Sequence, residues 1–281
     1  MTSAVEVTIL GCGSSGGVPR LGGPDNAGYW GACNPANPKN RRSRCSILVQ
    51  KHLAEGTTRV LVDTSPDMRE QLLRAHVASL DGILITHDHA DQLHGIDDLR
   101  QIMLHQRRRA DIHTDAKTAE GIVSRFSYCF VQSAGSDYPP MATMHAIPEP
   151  FAPFEISGAG GQLPVLAFSQ RHGLMRSLGF RFGPIAYSPD VNELDDAAFK
   201  ALDGVDCWIV DALRYTPHPS HAHLALALEW IARVKPKRAV LTNLHVDLDY
   251  GTLRRELPEN VEPAYDGMTV MAGSVSTRRA M

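Results

Sequence analysis

The sequence predicts an α/β protein arranged as a four-layer αββα sandwich, and three observations carry that prediction. Short β-branched runs alternate with amphipathic stretches along the chain, which is the pattern of strands interleaved with helices. No internal repeat or low-complexity tract interrupts them. Ligand-type side chains stand just past the apolar runs, where the strands of a sandwich deliver residues to a common edge.

VEVTIL (5–10), RCSILVQ (44–50) and TRVLVD (58–63) read as strands, the first two separated by a glycine- and proline-rich loop long enough to be functional. Residues 67–76 read as helix, GILIT (82–86) as a buried strand, IDDLRQIMLH (96–105) as helix and ADIHT (110–114) as strand. PVLAFSQ (164–170), GFRFG (179–183) and PIAYS (184–188) continue the strands, followed by a helix near 195–202 and strand CWIVDA (207–212). Leu224, Leu228, Ile231 and Val234 recur at helical spacing, with Ser220 placed to cap that helix. RAVLTN (238–243), a short helix at 250–257 and a strand around MTVMA (268–272) complete the reading. No linker divides the two sheet-rich halves, so one domain over residues 1–281 is expected.

Composition excludes several function classes. The 281 residues are 43% apolar and 21% charged with a net charge of −3, which argues against a nonspecific nucleic-acid binder. Apolar stretches are only a few residues long and MTSAVEVTILGCG has no basic region before an apolar one, so neither a membrane span nor secretion is expected, and the cytoplasm is the predicted location. Five cysteines (Cys12, Cys33, Cys45, Cys129 and Cys207) share no C-x-x-C spacing, which points to reduced thiols.

The chemistry concentrates in ITHDHADQLHGIDD (85–98), with three histidines and four aspartates in 14 residues. His87, His89 and Asp91 fall at strict two-residue intervals after GILI, so alternate side chains project the same way and H-x-H can chelate one ion. His172 follows PVLAFSQ, Asp190 follows PIAYSP, and Asn243 and His245 follow RAVLT. Imidazole and carboxylate together suit Zn²⁺, Mn²⁺ or Fe²⁺. A lone histidine such as His52, His76 or His113 is better explained as a solvated side chain, whereas the cluster calls for a metal.

With these residues in view, the sequence resembles the metallo-β-lactamase-fold hydrolases over nearly its whole length. The resemblance rests on Asp63 in VLVDTSP, THDHAD, the histidine of SQRHG, the aspartate of YSPD and the segment TNLH. Within that superfamily it looks most like the phosphoribosyl 1,2-cyclic phosphodiesterase branch, through LGCGSSGGVP (10–19), RRSRCS (41–46), SLGFRFGPIAYSPD (177–190), HPSH (218–221), LTNLHVDLDY (241–250) and YDGM (265–268). The resemblance implies a metal-dependent phosphodiesterase acting on a small cyclic ribose phosphate or nucleotide-like molecule. By it His87, His89 and His172 hold a first metal, Asp190 bridges two metals, Asp91 belongs to the second, and His221 protonates the leaving oxygen. Two cations, Mn or Zn, about 3.5–4 Å apart would bring a bridging water to a pKa of about 7 for attack on phosphorus, with Asp91 and Asp190 orienting it.

The chain also departs from that pattern. Gln92 and Asn243 stand where the superfamily has histidines, so the second site is either lost or rebuilt from oxygen donors with His94 or His245; rebuilding is the preferred expectation and would favour Mn²⁺. A structural zinc carried by some relatives is not expected, because Trp30 and Val246 replace ligands around Cys33. The helix start near His221 disfavours an imidazolium while bound phosphate favours it, which leaves its protonation open.

Gln92, Asn243, His223 and Tyr138 are expected to contact substrate, while Phe126 and Phe130 are expected in the core. GCGSSGG reads as a tight turn more readily than a phosphate cradle, and Arg41, Arg42 and Arg44 as a solvated face. The partner expected is a small phosphorylated substrate, without membrane or stable nucleic acid, and with a homodimer allowed. The competing readings are a nucleotide-binding sensor with a degraded second metal site, a tRNase Z-like nuclease, and a thioester or lactone hydrolase.

Overall fold

The computed structural model describes residues 5–272 and forms two seven-stranded sheets. The first begins with antiparallel β1 (Val5–Gly11), β2 (Ser46–Leu53) and β3 (Gly56–Val62), then adds parallel β4 (Gly82–Leu84), β5 (Ala110–Thr114) and β6 (Ala142–Ala146). The second mirrors this plan. Antiparallel β7 (Phe154–Gly158), β8 (Gly161–His172), β9 (Met175–Phe182) and β10 (Ile185–Ser188) lead into parallel β11 (Cys207–Asp211), β12 (Arg238–Thr242) and β13 (Val261–Pro263). β14 (Thr269–Ala272) then returns to pair with β1, so the C-terminal half also contributes to the first sheet.

Side-chain parity assigns the layers. Ile47 and Val49 of β2 point between the sheets with Ile9, Val62, Phe180, Phe182, Tyr187 and Ile209, while Leu48 between them points outward. Filling both sides of each sheet this way stabilises by about 1.5–3 kcal/mol per buried aliphatic or aromatic side chain. Outside the first sheet lie α1 (Met68–Arg74), α2 (Ala90–Leu93), α3 (Leu99–Gln106), α4 (Ala116–Arg125) and α5 (Ser127–Phe130), packing Leu72, Leu93, Leu99, Ile122 and Cys129 on Leu48, Leu61 and Ile83. Phe126 and Phe130 join this layer, in line with the expectation. Outside the second lie α6 (Asp196–Leu202), α7 (Leu224–Val234) and α8 (Tyr250–Glu256), with Trp230 and Ile231 on Trp208 and Val210. The layers are the predicted αββα, and no helix among the described residues is long and apolar enough to cross a membrane.

Three differences from the sequence reading have local causes. α4, α5, β6 and β7 went unassigned because ATMHA and FEISG are short and carry little apolar alternation. β13 is an edge strand of three residues containing Pro263. The residue capping α7 is His223, not Ser220, and it makes no side-chain capping bond. The Ser220 carbonyl is instead taken by His172, and its hydroxyl lies 3.3 Å from His218 Nδ1.

Candidate active site

The imidazole triad sits on the strand ends of both sheets. Asp63, directly after β3, adopts a left-handed backbone (φ +66°) and accepts hydrogen bonds from Thr86 N (2.8 Å) and Thr86 Oγ1 (3.0 Å). Because that hydroxyl gives its proton to Asp63, it can only accept from His87 Nδ1, 3.0 Å away. His87 is thereby fixed with its Nε2 lone pair free, and that buried nitrogen has no hydrogen-bond partner. His172, at the end of β8, donates Nδ1–H to the Ser220 carbonyl (2.6 Å), which leaves its Nε2 free and 3.3 Å from His89 Nδ1. Ring centroids of the three lie 4.6–5.0 Å apart.

Burial, reinforced by the neighbouring imidazoles, pushes His87 well below the usual histidine range. Burial and His221 bring His172 down to about 4. Two rings held neutral by burial, His87 and His172, with hydrogen-bonded back nitrogens, converge with His89 on one point as a divalent cation requires, so these residues fit one.

Opposite the triad, Asp190 follows β10 with φ +48°. Its Oδ2 accepts from Gln92 Nε2 (3.0 Å), and its Oδ1 lies 3.8 Å from His221 Nδ1. His221 donates Nδ1–H to Asp211 Oδ2 (2.8 Å), a fully buried carboxylate ending β11 that also accepts from Val191 N (3.1 Å). Burial works against charging His221, but the charge and hydrogen bond of Asp211, helped by Asp190 and Asp91, overcome it and raise the imidazole to about 9. The sequence left the protonation of this ring open, and the buried carboxylate bonded to it favours the charged form. Asn243, left-handed at φ +61°, sets its amide nitrogen 3.1 Å from the same ring nitrogen.

His87, His89 and His172 form one metal-competent group, and His172, Asp190 and His221 a second that shares His172. The structure brings Gln92 and Asn243 against these groups. It does not bring His245 or His94. His245 Nδ1 lies 3.0 Å from its own neighbour Asp247, and His94 packs edge-on against Phe126 at 5.5 Å. The expectation that oxygen donors with His94 or His245 rebuild the second site therefore finds neither histidine in a metal-competent group. Asp91, half-buried in the first turn of α2, belongs to neither group, although its charge acts on Asp190 and His221. His223 is half-buried at the start of α7. Tyr138 is exposed and lines a cavity of about 420 Å³ with Arg100, Tyr128 and Val131, none of them a residue of the two groups.

Sequence reasoning missed Asp211 and gave Asp63 no role. The available signal was position: each is the carboxylate at which an apolar strand ends, CWIVD and RVLVD, like the ligands beside them.

Residues 58–243 match the protein family described as the beta-lactamase superfamily domain. The chain is 30% identical to a solved structure described as a new diphosphatase from the PhnP family, with a TM-score of 0.82 over 96% of this chain and 97% of that one. The chain belongs to the beta-lactamase superfamily, on its PhnP-family branch. It is a metal-dependent hydrolase of the metallo-β-lactamase fold. The fold is shared with Zn²⁺-bound PqqB from Methylobacterium extorquens, at 16% identity and a TM-score of 0.66 over 94% of this chain and 99% of that one. The chain is also 29% identical over 263 residues to an octanoyltransferase of Porphyromonas gingivalis. That match takes in 92% of this chain but spans half the length of that relative, so the named activity is said of the longer protein.

In this superfamily member the loop between β1 and β2 is anchored without ligands. Arg42, expected on a solvated face, is 1% exposed. Its guanidinium donates to the carbonyls of His245 (3.3 Å) and Leu248 (2.7 Å), to Asn40 Oδ1 (3.3 Å) and to Cys33 Sγ (3.8 Å). The Cys33 thiol, pushed up by burial, donates to the Val246 carbonyl (3.3 Å), and Val18, Trp30 and Val246 close around it. The glycine loop is a turn, with Gly13 N bonded to Ser43 O and Gly17 N to Ser14 O. Gly11 is required there, because a Cβ would stand 2.1 Å from the Arg44 carbonyl.

Proposed function

We propose that the chain hydrolyses a small ribose-containing phosphodiester, a cyclic ribose phosphate or a nucleotide-like diester, at the triad of His87, His89 and His172. The observation that carries this is the pairing of a converging imidazole triad with His221 hydrogen-bonded through Nδ1 to the buried carboxylate of Asp211. His87, His89 and His172 would hold a divalent cation, which when bound would supply Lewis-acid chemistry, acidifying water and drawing charge from the phosphoryl oxygens. Zinc suits three nitrogen donors and manganese suits the added carboxylate, and one fold neighbour is Zn²⁺-bound.

The residues divide the remaining work. Asp190, with Asp91 behind it, orients the attacking water and receives its proton. As the new P–O bond forms and the bond to the ribose oxygen breaks, His221 gives up its Nε2 proton to the leaving oxygen, since Nδ1–H is committed to Asp211. His223, half-buried at the start of α7, is the side chain assigned to the substrate, while Gln92 is buried against Asp190. A phosphoanhydride is the second reading, favoured by the PhnP-family diphosphatase neighbour.

Turnover of a ribose cyclic phosphate, bis(p-nitrophenyl) phosphate and a nucleoside diphosphate ester, measured with Zn²⁺, Mn²⁺ and Mg²⁺, tests the proposal. His221→Ala should slow the alkoxide-leaving ribose ester by about 10²–10⁴-fold. The p-nitrophenyl and anhydride substrates, whose leaving groups need no proton, should slow far less. Binding of nucleotide monophosphates without turnover under any metal would mean a sensor instead.

A further inference from the structure

The two sides of Asp190 differ in what they offer a cation. Toward the triad stand nitrogen lone pairs with their tautomers already set by Thr86 and Ser220, and one of them, His87 Nε2, is buried with no partner. Away from the triad the carboxylate is already occupied. Gln92 presents its N–H to Asp190 Oδ2 at 3.0 Å, so its amide oxygen points elsewhere, buried and unpartnered. A cation there would demand the reverse, the oxygen toward it and no hydrogen between it and the carboxylate; one amide cannot serve both. Asn243 places a second amide nitrogen beside His221, Asp190 and Asp211. His221, which with His172 and Asp190 makes up the second metal-competent group, has its Nδ1 bonded to Asp211 at 2.8 Å, so that nitrogen is not free for a cation. Asp190 Oδ2 is thus taken by an amide N–H, and Asp211 Oδ2 by an imidazole and the Val191 N–H, while Asp211 Oδ1 stays buried and unpartnered; His94 and His245 are engaged with Phe126 and Asp247.

Resting on the metal-dependent reading above, we propose that the chain holds one divalent cation, at His87, His89 and His172 with Asp190, and that Gln92 and Asn243 fill a second cation's place with hydrogen-bond donors. The amides then do for Asp190 and Asp211 what a second ion would do, holding them in position without adding two charges beside His221. Position 243 tolerates the exchange, because asparagine and histidine are both among the residues that accept a left-handed backbone.

The test is a metal count. Protein stripped with a chelator is reloaded separately with Zn²⁺ and Mn²⁺, freed of excess ion, and assayed by plasma mass spectrometry and native mass spectrometry. The wild-type chain should carry one ion with either metal, and its Mn²⁺ form should give the resonance of an isolated ion. Gln92→His combined with Asn243→His should carry two, with a spin-coupled Mn²⁺ pair. Two ions in the wild-type chain, or a coupled pair in its spectrum, overturn the inference and leave the hydrolase reading standing. No ion at all overturns both. A double variant that folds, by circular dichroism, yet still carries one ion would show that the amides are not what excludes the second. The wild-type count decides even where the variant does not fold.

Discussion

Two corners of this molecule invite comparison, the triad at the strand ends, which gathers residues that could hold a metal, and the loop around Cys33, which belongs to no such group among the described residues. At the triad, a fully buried ring nitrogen has no partner and the back nitrogens of His87 and His172 are tied down, so the donors converge on a space that the protein leaves to something else. Around Cys33 the thiol is protonated and bonded to a carbonyl, and the positive charge is the protein's own guanidinium, spread over four acceptors. Residue type alone does not make a metal site. Free lone pairs with fixed tautomers do, and a buried arginine can take over the anchoring task at a corner that lacks them.

The sharpest way to break this comparison is Arg42→Met. It should cost about 2–4 kcal/mol, the scale of leaving several buried acceptors unpaired, read as a lower guanidinium midpoint, while the metal content stays unchanged. A loss of metal without a loss of stability would reverse the roles assigned to the two corners. Thr86→Val tests the other corner, because it removes the link between Asp63 and His87 but leaves every ligand in place. Metal affinity should weaken about 10–100-fold, as for other residues that orient a ligand, and excess metal should restore turnover. Cys33→Ala is the mildest, with a cost of about 1 kcal/mol for a small buried group and no change in metal affinity.

How much of this was legible in the sequence follows from how local each signal is. H-x-H-x-D announces itself because period-two spacing after an apolar strand has a geometric meaning within a few residues. The sandwich was legible for the same reason, since CWIVD and RAVLT are too short and apolar to be anything but buried strands. Asp211 was hidden because one carboxylate closing such a strand looks like any polar strand end, and its meaning depends on His221 folding back against it. Arg42 was misread because its partners, His245 and Leu248, lie far along the chain, and a cluster of arginines normally signals solvent. The fate of Gln92 and Asn243 could not be foreseen either. Their types announced a departure from the family pattern, but that Gln92 turns its N–H to Asp190 is visible only in the folded chain.

Asp63, Asp190 and Asn243 all end their strands in left-handed conformation, with φ between +48° and +66°. Most side chains resist that twist, by roughly 1 kcal/mol or more, so three corners of the centre are open to a short alphabet whose members are also good ligands or hydrogen-bonding groups. Main-chain shape and chemistry therefore select the same residues here. A lineage can trade imidazole for carboxamide at such a corner, and regain or give up an ion, without the surrounding strands having to refold.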